Sequence, residues 1–238
     1  MTEDRLIRGV AVDWEKVPRD SFVRDIPALA AVETLTFESS VTFFAGDNGT
    51  GKSTLLEAIA LACGFNPEGG TKNYRFSTWQ ESSPLQEGLR LIRGARRGSA
   101  GYFFRAESFY NVATATADYN DGTMPDYHAQ SHGESFLEFL QRYDRVGVYL
   151  MDEPEAALSP QGQLSLLRYI HDMAEAGSQF IIATHSPILL GLPGAAIWSF
   201  DGEEIAPCAW EDTLSVRLTR LFMEGRERIL RELFRDDG

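Results

Sequence analysis

A glycine-rich segment at residues 46–54 has the residue types and spacing that bind nucleotide phosphates. It reads Gly-Asp-Asn-Gly-Thr-Gly-Lys-Ser-Thr and fits the pattern G-x-x-x-x-G-K-[ST]. Its glycines have no Cβ, so backbone N–H groups can approach an anion closely. In this pattern Lys52 reaches the β- and γ-phosphates, and the Ser53 hydroxyl binds Mg²⁺. The nucleotide-binding residues predicted from this segment are Asn48, Gly49, Thr50, Gly51, Lys52, Ser53 and Thr54.

The second half of the chain supplies acidic side chains that suit a magnesium nucleotide. Residues 146–154 form an apolar run that ends in Asp152, Glu153 and a proline. P-loop NTPases hold magnesium with an aspartate at a strand tip, so Asp152 and Ser53 are the predicted metal-side residues. Glu153 is the candidate general base for the attacking water. The competing interpretation is a strand that runs into an ordinary acidic turn.

Strand and helix signals flank the glycine-rich segment in the order that such a site needs. The apolar run Val41–Ala45 precedes it and predicts a buried strand. The run Leu55–Ala62 follows it and predicts a helix. The phosphates would therefore lie at a helix N-terminus, where backbone N–H groups point toward an anion.

A third motif lies between the glycine-rich segment and the acidic residues 152–153. It comprises residues 130–134, which read Gln-Ser-His-Gly-Glu. An apolar stripe with helical spacing follows over residues 134–143, so Ser131 and Gly133 are predicted at a helix start. Their hydroxyl and N–H groups would then point outward from the helix. The alternative is a capping box, with Ser131 as the N-cap and Glu134 at the third helical position.

Taken in order, these motifs resemble the pattern of ABC-type ATPases. The pattern runs from GxNGxGKST to S-x-G-E, then to a strand ending in Asp-Glu, then to an apolar strand ending in histidine. Here the last piece is residues 179–186, which end in Thr-His185-Ser. Within that class, the chain resembles small, stand-alone bacterial ATPases of the SMC/RecF-like branch.

This resemblance implies roles for individual residues. His185 is similar to the family's switch histidine, which contacts the γ-phosphate side and joins Glu153 in the catalytic set. Ser131 and Gly133 of a second subunit would close over the γ-phosphate, and Ala156–Ser159 would lie where two subunits touch. ATP and Mg²⁺ are the implied cofactors, and a homodimer that forms with ATP is the implied assembly.

The chain departs from the family pattern at the signature motif. Gln130 stands where the family usually has leucine, and His132 stands where it has the first glycine. His132 could add a hydrogen-bond donor to a phosphate or could point away from it. The sequence leaves both interpretations open.

Two further family positions have no clear counterpart here. The family's glutamine near the attacking water could correspond to Glu107, Gln80 or Gln86. The aromatic side chain that stacks on adenine could be that of Trp14 or Phe22. No sequence feature selects among these residues.

The predicted fold is a single α/β domain over residues 1–238, of the P-loop NTPase and ABC ATPase-like type. We expect a mainly parallel central sheet with an antiparallel edge formed by Arg5–Trp14 and Val32–Phe37. Residues from about 66 to 145 are predicted to form a helical or mixed insertion lobe that carries the signature motif. Ser159 and Pro160 predict the start of a later helix, and Gly177 predicts its end. Its predicted apolar face comprises Leu164, Leu167, Ile170, His171 and Ala174.

Composition and charge limit which cell compartment and which classes of binding partner we expect for this chain. The chain is 43% hydrophobic and 24% charged, as in an ordinary globular protein, and no apolar run approaches the roughly 20 residues that cross a bilayer. Its start lacks a secretion signal, so we expect a cytoplasmic protein with no transmembrane segment. The net charge of −13 disfavours indiscriminate nucleic-acid binding. Two arginine groups could form local patches that override this charge: Arg90, Arg93, Arg96, Arg97 and Arg105 in the lobe, and six arginines from 217 to 235. We interpret both groups as solvated surface paired with nearby Glu and Asp.

The sequence thus predicts ATP binding and hydrolysis at composite sites, coupled to an unidentified process of the DNA repair or defence kind. One alternative is a nucleotide-gated interaction module that recruits an effector. The other is the motor subunit of a transporter. An effector protein or a nucleic acid remains an open partner.

Overall fold

Among the residues that the structure describes, the strands form a six-stranded sheet and a separate three-stranded sheet. A computed structural model describes residues 5–71, 83–96, 98, 100–105, 140 and 145–235. The strands are β1 Ile7–Val12, β2 Thr34–Thr36, β3 Val41–Ala45, β4 Leu89–Arg93, β5 Ala100–Arg105, β6 Gly147–Asp152, β7 Gln179–Ala183, β8 Ala196–Ser199 and β9 Ala206–Pro207. The α-helices are α1 Pro27–Ala30, α2 Lys52–Cys63, α3 Pro160–Glu175, α4 Pro187–Leu190 and α5 Leu214–Leu233.

The large sheet has the strand order β5-β6-β7-β3-β8-β9. Its first five strands run parallel, and β9 is antiparallel to β8. The central strands β3, β6 and β7 are buried along their whole length, which explains why they read as unbroken apolar runs. Because parallel strands share a direction, the carboxyl ends of β3, β6 and β7 meet at one edge of the sheet. This edge holds the candidate site.

The small sheet has the order β2-β1-β4 and is antiparallel throughout. The sequence predicted an antiparallel pair from the segments that became β1 and β2, and the register Val10↔Leu35 confirms that pairing. A side-chain amide joins this sheet to the large one. Ile7 N–H donates to Gln179 Oε1 at 2.8 Å, and Gln179 Nε2 donates to the Ile7 carbonyl at 2.7 Å. A buried polar side chain thereby satisfies the backbone N–H and C=O groups of the first residue of β1.

The range predicted as an insertion lobe supplies strands to both sheets. β4 completes the small sheet, and β5 pairs with β6 at the edge of the large sheet. Residues 131–133, together with Gln80 and Glu107, lie outside the described part of the chain. The predictions made for them therefore stay predictions.

Helices cover both faces of the large sheet. α2 packs its apolar residues Leu55, Leu56 and Ile59 into the core that includes the small sheet. α3 covers the opposite face and begins where Ser159 accepts a hydrogen bond from the Gly162 N–H at 3.1 Å. Among the described residues, every helix is too short or too polar to span a lipid bilayer.

The buried face of α3 overlaps the predicted one only in part, through Ile170, Leu167 and Ala174. Its fully buried residues are Leu166, Ile170 and Met173, whereas Leu164 is 52% exposed. The helix is therefore rotated, about its own axis, relative to the predicted stripe. Several apolar residues are compatible with either rotation, and packing against the sheet selects one of them.

Candidate nucleotide-binding site

The glycine-rich loop connects the end of β3 to the start of α2. Gly51 is the residue before the helix and has a φ of 96°, a left-handed conformation that favours glycine. No side chain caps this end of α2, so the first N–H groups of the helix point into the loop without an internal partner. The loop and helix together form an anion-binding geometry.

Lys52 is buried beneath this loop, with only 4% of its surface exposed. Its Nζ donates to the carbonyls of Gly46 at 2.9 Å and Asp47 at 2.7 Å, which holds the side chain against the loop backbone. Burial lowers the pKa of Lys52, and four nearby carboxylates, led by Glu153, act in the opposite direction. A phosphate beside Nζ would add a further negative charge and stabilise the protonated amine.

Ser53 and Asp152 come together from different parts of the chain. The Ser53 hydroxyl donates to Asp152 Oδ1 at 2.7 Å, and Asp152 lies at the tip of β6. A hydroxyl and a carboxylate are the hard oxygen ligands that Mg²⁺ prefers, and nucleotide phosphates commonly complete its coordination. No group of three or more His, Cys, Asp or Glu side chains suited to a metal exists among the described residues. The donor set therefore fits a magnesium ion shared with phosphates rather than an all-protein metal centre.

Arg105 lies on the far side of the Asp152 carboxylate. The two residues are register partners in the β5–β6 pair, and Arg105 Nε is 3.9 Å from Asp152 Oδ2. Arg105 Nη1 also pairs with Glu57 Oε2 of α2 at 2.9 Å. Arg105 is paired with an acidic side chain, as expected for the arginine group of the lobe, but it is not solvated surface, because its side chain is only 24% exposed. Its position at the carboxyl end of a strand was the available signal.

Glu153 and His185 face each other at the carboxyl ends of β6 and β7. His185 Nε2 lies 3.3 Å from Glu153 Oε1, which is ion-pair distance. The two atoms are not aligned as a hydrogen bond, and Nε2 is buried with no hydrogen-bond partner among the residues that the structure describes. Glu153 has a φ of 47°, and among the described residues it is the sole non-glycine residue with a positive φ. Strained backbone of this kind is concentrated at functional sites.

Asp201 contributes a carboxylate that sequence reasoning missed. Its Oδ1 accepts a hydrogen bond from the Asp47 N–H at 2.7 Å and so ties the loop to the segment after β8. A cavity of about 190 Å³ nearby is lined by Gly46, Asp47 and His185 together with the first residues of α5. The sequence signal was limited to a single aspartate two residues after the end of β8.

A cleft of about 400 Å³ opens beside Lys52, Ser53 and Glu153. Phe22 lines this cleft and is exposed, as a stacking residue would be. Trp14 instead lines a neighbouring cleft, where its Nε1 donates to the Val32 carbonyl at 2.8 Å. Between the two aromatic candidates for stacking on adenine, the structure places Phe22 nearer to the loop.

Of the three candidates for the residue near the attacking water, the described residues include Gln86. It lies in the 3₁₀ helix Pro84–Glu87, which packs against α2 and β4. Glu107 follows two residues after Arg105, beyond the described end of β5. The residue that fills this role stays a prediction.

Two protein-family models match separate parts of the chain. One, described as "AAA domain", matches residues 28–104, which include the glycine-rich loop. The other, described as "AAA domain, putative AbiEii toxin, Type IV TA system", matches residues 135–191, which include Asp152, Glu153 and His185. Each half of the site thus falls within a match to an AAA domain.

Individual relatives match parts of the chain. The DNA replication and repair protein RecF of Leptospira interrogans is 28% identical over 117 residues, 49% of this chain and 27% of RecF. The Agrobacterium fabrum protein named "Putative ribose/galactose/methyl galactoside import ATP-binding protein 2" is 22% identical over 194 residues, 70% of this chain and 37% of that protein. The chain therefore spans well under half the length of these curated relatives. The SMC head domain from Thermotoga maritima is 14% identical with a TM-score of 0.48, covering 85% of this chain and 99% of that domain.

Proposed function

We propose that this P-loop ATPase domain of the AAA/ABC type binds MgATP and hydrolyses it in an ATP-dependent homodimer. Its matches to two AAA domain models, to RecF and to an import ATP-binding protein support the proposal. The observation that carries this proposal is the 2.7 Å contact between Ser53 Oγ and Asp152 Oδ1. It joins the phosphate loop to the acidic strand tip, which is where a magnesium nucleotide needs its oxygen ligands.

In this proposal the glycine-rich loop and the first residues of α2 bind the phosphates. The N–H groups of residues 48–54 would surround the β- and γ-phosphates, with the helix dipole adding to the attraction. Lys52 would exchange its contacts with the Gly46 and Asp47 carbonyls for phosphate oxygens. The buried amine would then be charge-paired, which favours its protonated form.

Ser53 and Asp152 would hold the magnesium ion. When bound, Mg²⁺ neutralises charge on the phosphate oxygens in the transition state. Arg105 limits the negative charge that Asp152 presents, since its guanidinium lies 3.9 Å behind the carboxylate. Its pairing with Glu57 fixes that guanidinium between β5 and α2.

Glu153 would orient the attacking water and accept its proton, and His185 would contact the γ-phosphate side. Their 3.3 Å separation supports this proposal, because a proton acceptor and a hydrogen-bonding ring would then act side by side. The side chain of Glu153 is 41% exposed within its own subunit. An exposed base is surrounded by bulk water, so a covering surface is needed to complete the site.

A second copy of the chain would provide that cover. In this proposal Ser131 and Gly133 of the second copy donate hydrogen bonds to the γ-phosphate, as the family resemblance implies. Donors that arrive only on dimerisation stabilise the transition state in the closed assembly alone. Hydrolysis would remove the shared γ-phosphate and let the two copies separate.

The test is the solution mass of the Glu153→Gln variant, measured by light scattering with and without MgATP. We expect ATP to shift this variant from monomer to dimer, because binding is kept while turnover falls on the order of 10²–10⁴-fold. Lys52→Ala is the control, since it loses the phosphate contact and should stay monomeric with MgATP. A Glu153→Gln protein that binds ATP but remains monomeric would refute the homodimer.

We propose that ATP hydrolysis by this chain is coupled to DNA repair or defence. The similarity to RecF supports repair, and the match to the AAA domain described with an AbiEii toxin supports a defence or toxin system. The alternatives are an effector-recruiting module and a transporter motor, the latter supported by the similarity to an import ATP-binding protein. Co-purification with cell membranes would favour the motor.

A further inference from the structure

The turn after β6 is attached to the turn after β7 by a carboxylate that the proposed chemistry does not use. Glu155 Oε1 accepts a hydrogen bond from the backbone N–H of His185 at 2.6 Å. An ionised carboxylate makes shorter and stronger hydrogen bonds than a neutral acceptor. The contact joins the backbone of the candidate switch histidine to a residue 30 positions earlier, which lies two residues after the candidate base Glu153.

A second hydrogen bond runs between the same two turns. The Glu153 N–H donates to the Ala183 carbonyl at 2.9 Å, at the point where Asp152 and Ala183 are register partners. The two bonds have their donors on opposite turns. Together they fix both the separation and the relative rotation of the two turns.

Glu153 itself holds a backbone conformation that needs such support. Its φ of 47° and ψ of 52° are left-handed, a region that side-chain-bearing residues rarely adopt. Pro154 follows it and disfavours the right-handed helical region for Glu153, so the relaxed alternative is extended backbone. An extended Glu153 would turn its carboxylate away from its present direction. The hydrogen bonds made by the Glu153 N–H and by the Glu155 carboxylate oppose that relaxation.

The other oxygen of Glu155 indicates that the residue is not there for stability alone. Glu155 Oε2 is buried and has no hydrogen-bond partner among the described residues. A buried, unsatisfied carboxylate oxygen destabilises the folded state. A side chain that contributed only to folding would be better satisfied or less polar.

We propose that Glu155 is a positioning residue for ATP hydrolysis: its carboxylate holds the Glu153 and His185 side chains 3.3 Å apart. This inference rests on the proposed ATPase activity. The prediction is a defect in turnover rather than in nucleotide binding, because among the described residues no hydrogen bond or ion pair joins the Glu155 side chain to the glycine-rich loop or to Lys52.

The test compares Glu155→Ala, Glu155→Gln and a matched control. We expect Glu155→Ala to lower kcat by about 10²-fold, as misplacement of catalytic groups by about 1 Å can do, with the ATP Kd within about twofold of wild type. Glu155→Gln keeps an acceptor oxygen for the His185 N–H, so its kcat should lie between those of the wild type and the Ala variant. The control is Gln163→Ala, which removes a 2.5 Å bond from Ser186 Oγ in the same turn and should keep kcat near wild type.

A second measurement needs no turnover. Amide hydrogen exchange at His185, followed by NMR in the nucleotide-free protein, should accelerate in Glu155→Ala and stay at the wild-type rate in Gln163→Ala. Unchanged kcat in Glu155→Ala beside an active wild type, or unchanged exchange at His185, would overturn the positioning role alone. A wild type that hydrolyses no ATP would refute the proposed function, and this inference with it.

Discussion

The left-handed backbone at Glu153 can be tested with two variants that differ by a single methyl group. Glu153→Ala and Glu153→Gly both remove the carboxylate and its contact with His185. They differ in whether residue 153 carries a Cβ. At a φ of 47°, that Cβ determines which variant is more stable.

Two opposing terms set the size of the difference. Left-handed backbone costs a residue with a Cβ roughly 1–2 kcal/mol, and glycine avoids this cost. Glycine in turn loses roughly 0.5–1 kcal/mol more backbone entropy on folding than alanine. We therefore expect Glu153→Gly to be more stable than Glu153→Ala by about 0.5–1 kcal/mol. In a chain of this size the difference corresponds to roughly 1–4 °C in Tm.

The assay is urea unfolding of both variants, with the free energy of unfolding taken from the midpoint and slope. Arg168 in the middle of α3 provides the control, because its side chain is 78% exposed and pairs only with Asp172 among the described residues. There Arg168→Ala and Arg168→Gly lose the same ion pair, but the backbone is helical. We expect the Ala variant to be more stable by about 1 kcal/mol, so the order of the two variants reverses.

An equal or higher stability of Glu153→Ala would refute the left-handed assignment. The proposal that Glu155 is a positioning residue would then lose one of its supports, namely the strained backbone at Glu153. If glycine were the more stable variant at both 153 and 168, the difference would reflect something other than backbone conformation at Glu153.

Two further predictions concern the glycine-rich loop and α2. Burial lowers the pKa of Lys52, and a bound phosphate should raise it again, so ATP binding should take up protons increasingly as the pH rises from neutral into the alkaline range. Calorimetry in two buffers of different ionisation enthalpy measures this uptake, and a net release of protons would contradict it. Gly51→Ala should be more destabilising than Gly64→Ala by about 1–3 kcal/mol in urea unfolding. Both glycines have positive φ, but a Cβ at Gly51 would lie 2.7 Å from Leu29 Cγ whereas one at Gly64 has open space. An equal loss of unfolding free energy in the two variants would show that the Leu29 side chain moves aside without destabilising the protein.

Local patterns were enough to find the phosphate loop and its flanking elements. The apolar run predicted as a strand became β3 with the same bounds, Val41–Ala45. The predicted helix from Leu55 begins three residues earlier, at Lys52, because the glycine-rich loop ends at Gly51. These features depend on residues within a few positions of one another, which the sequence shows directly.

The contacts around Asp152 and His185 could not be found in the same way. The Arg105–Glu57 pair and the Glu155–His185 bond join residues 48 and 30 positions apart. Each contact requires the strand order β5-β6-β7-β3, and no local pattern specifies that order. The rotation of α3 is a similar case, because its apolar residues are compatible with more than one buried face.

The sequence by itself determined that this chain carries a phosphate-binding loop, an acidic strand tip and a histidine at a later strand end. It did so because each of these features consists of consecutive residues: a short motif that directly adjoins an apolar run. Only the tertiary structure decided which side chains meet: Ser53 with Asp152, Glu153 with His185, and Glu155 with the His185 backbone. The physical reason is that parallel strands bring their carboxyl ends to one edge, and the strand order, which depends on packing across the whole sheet, sets the neighbours there.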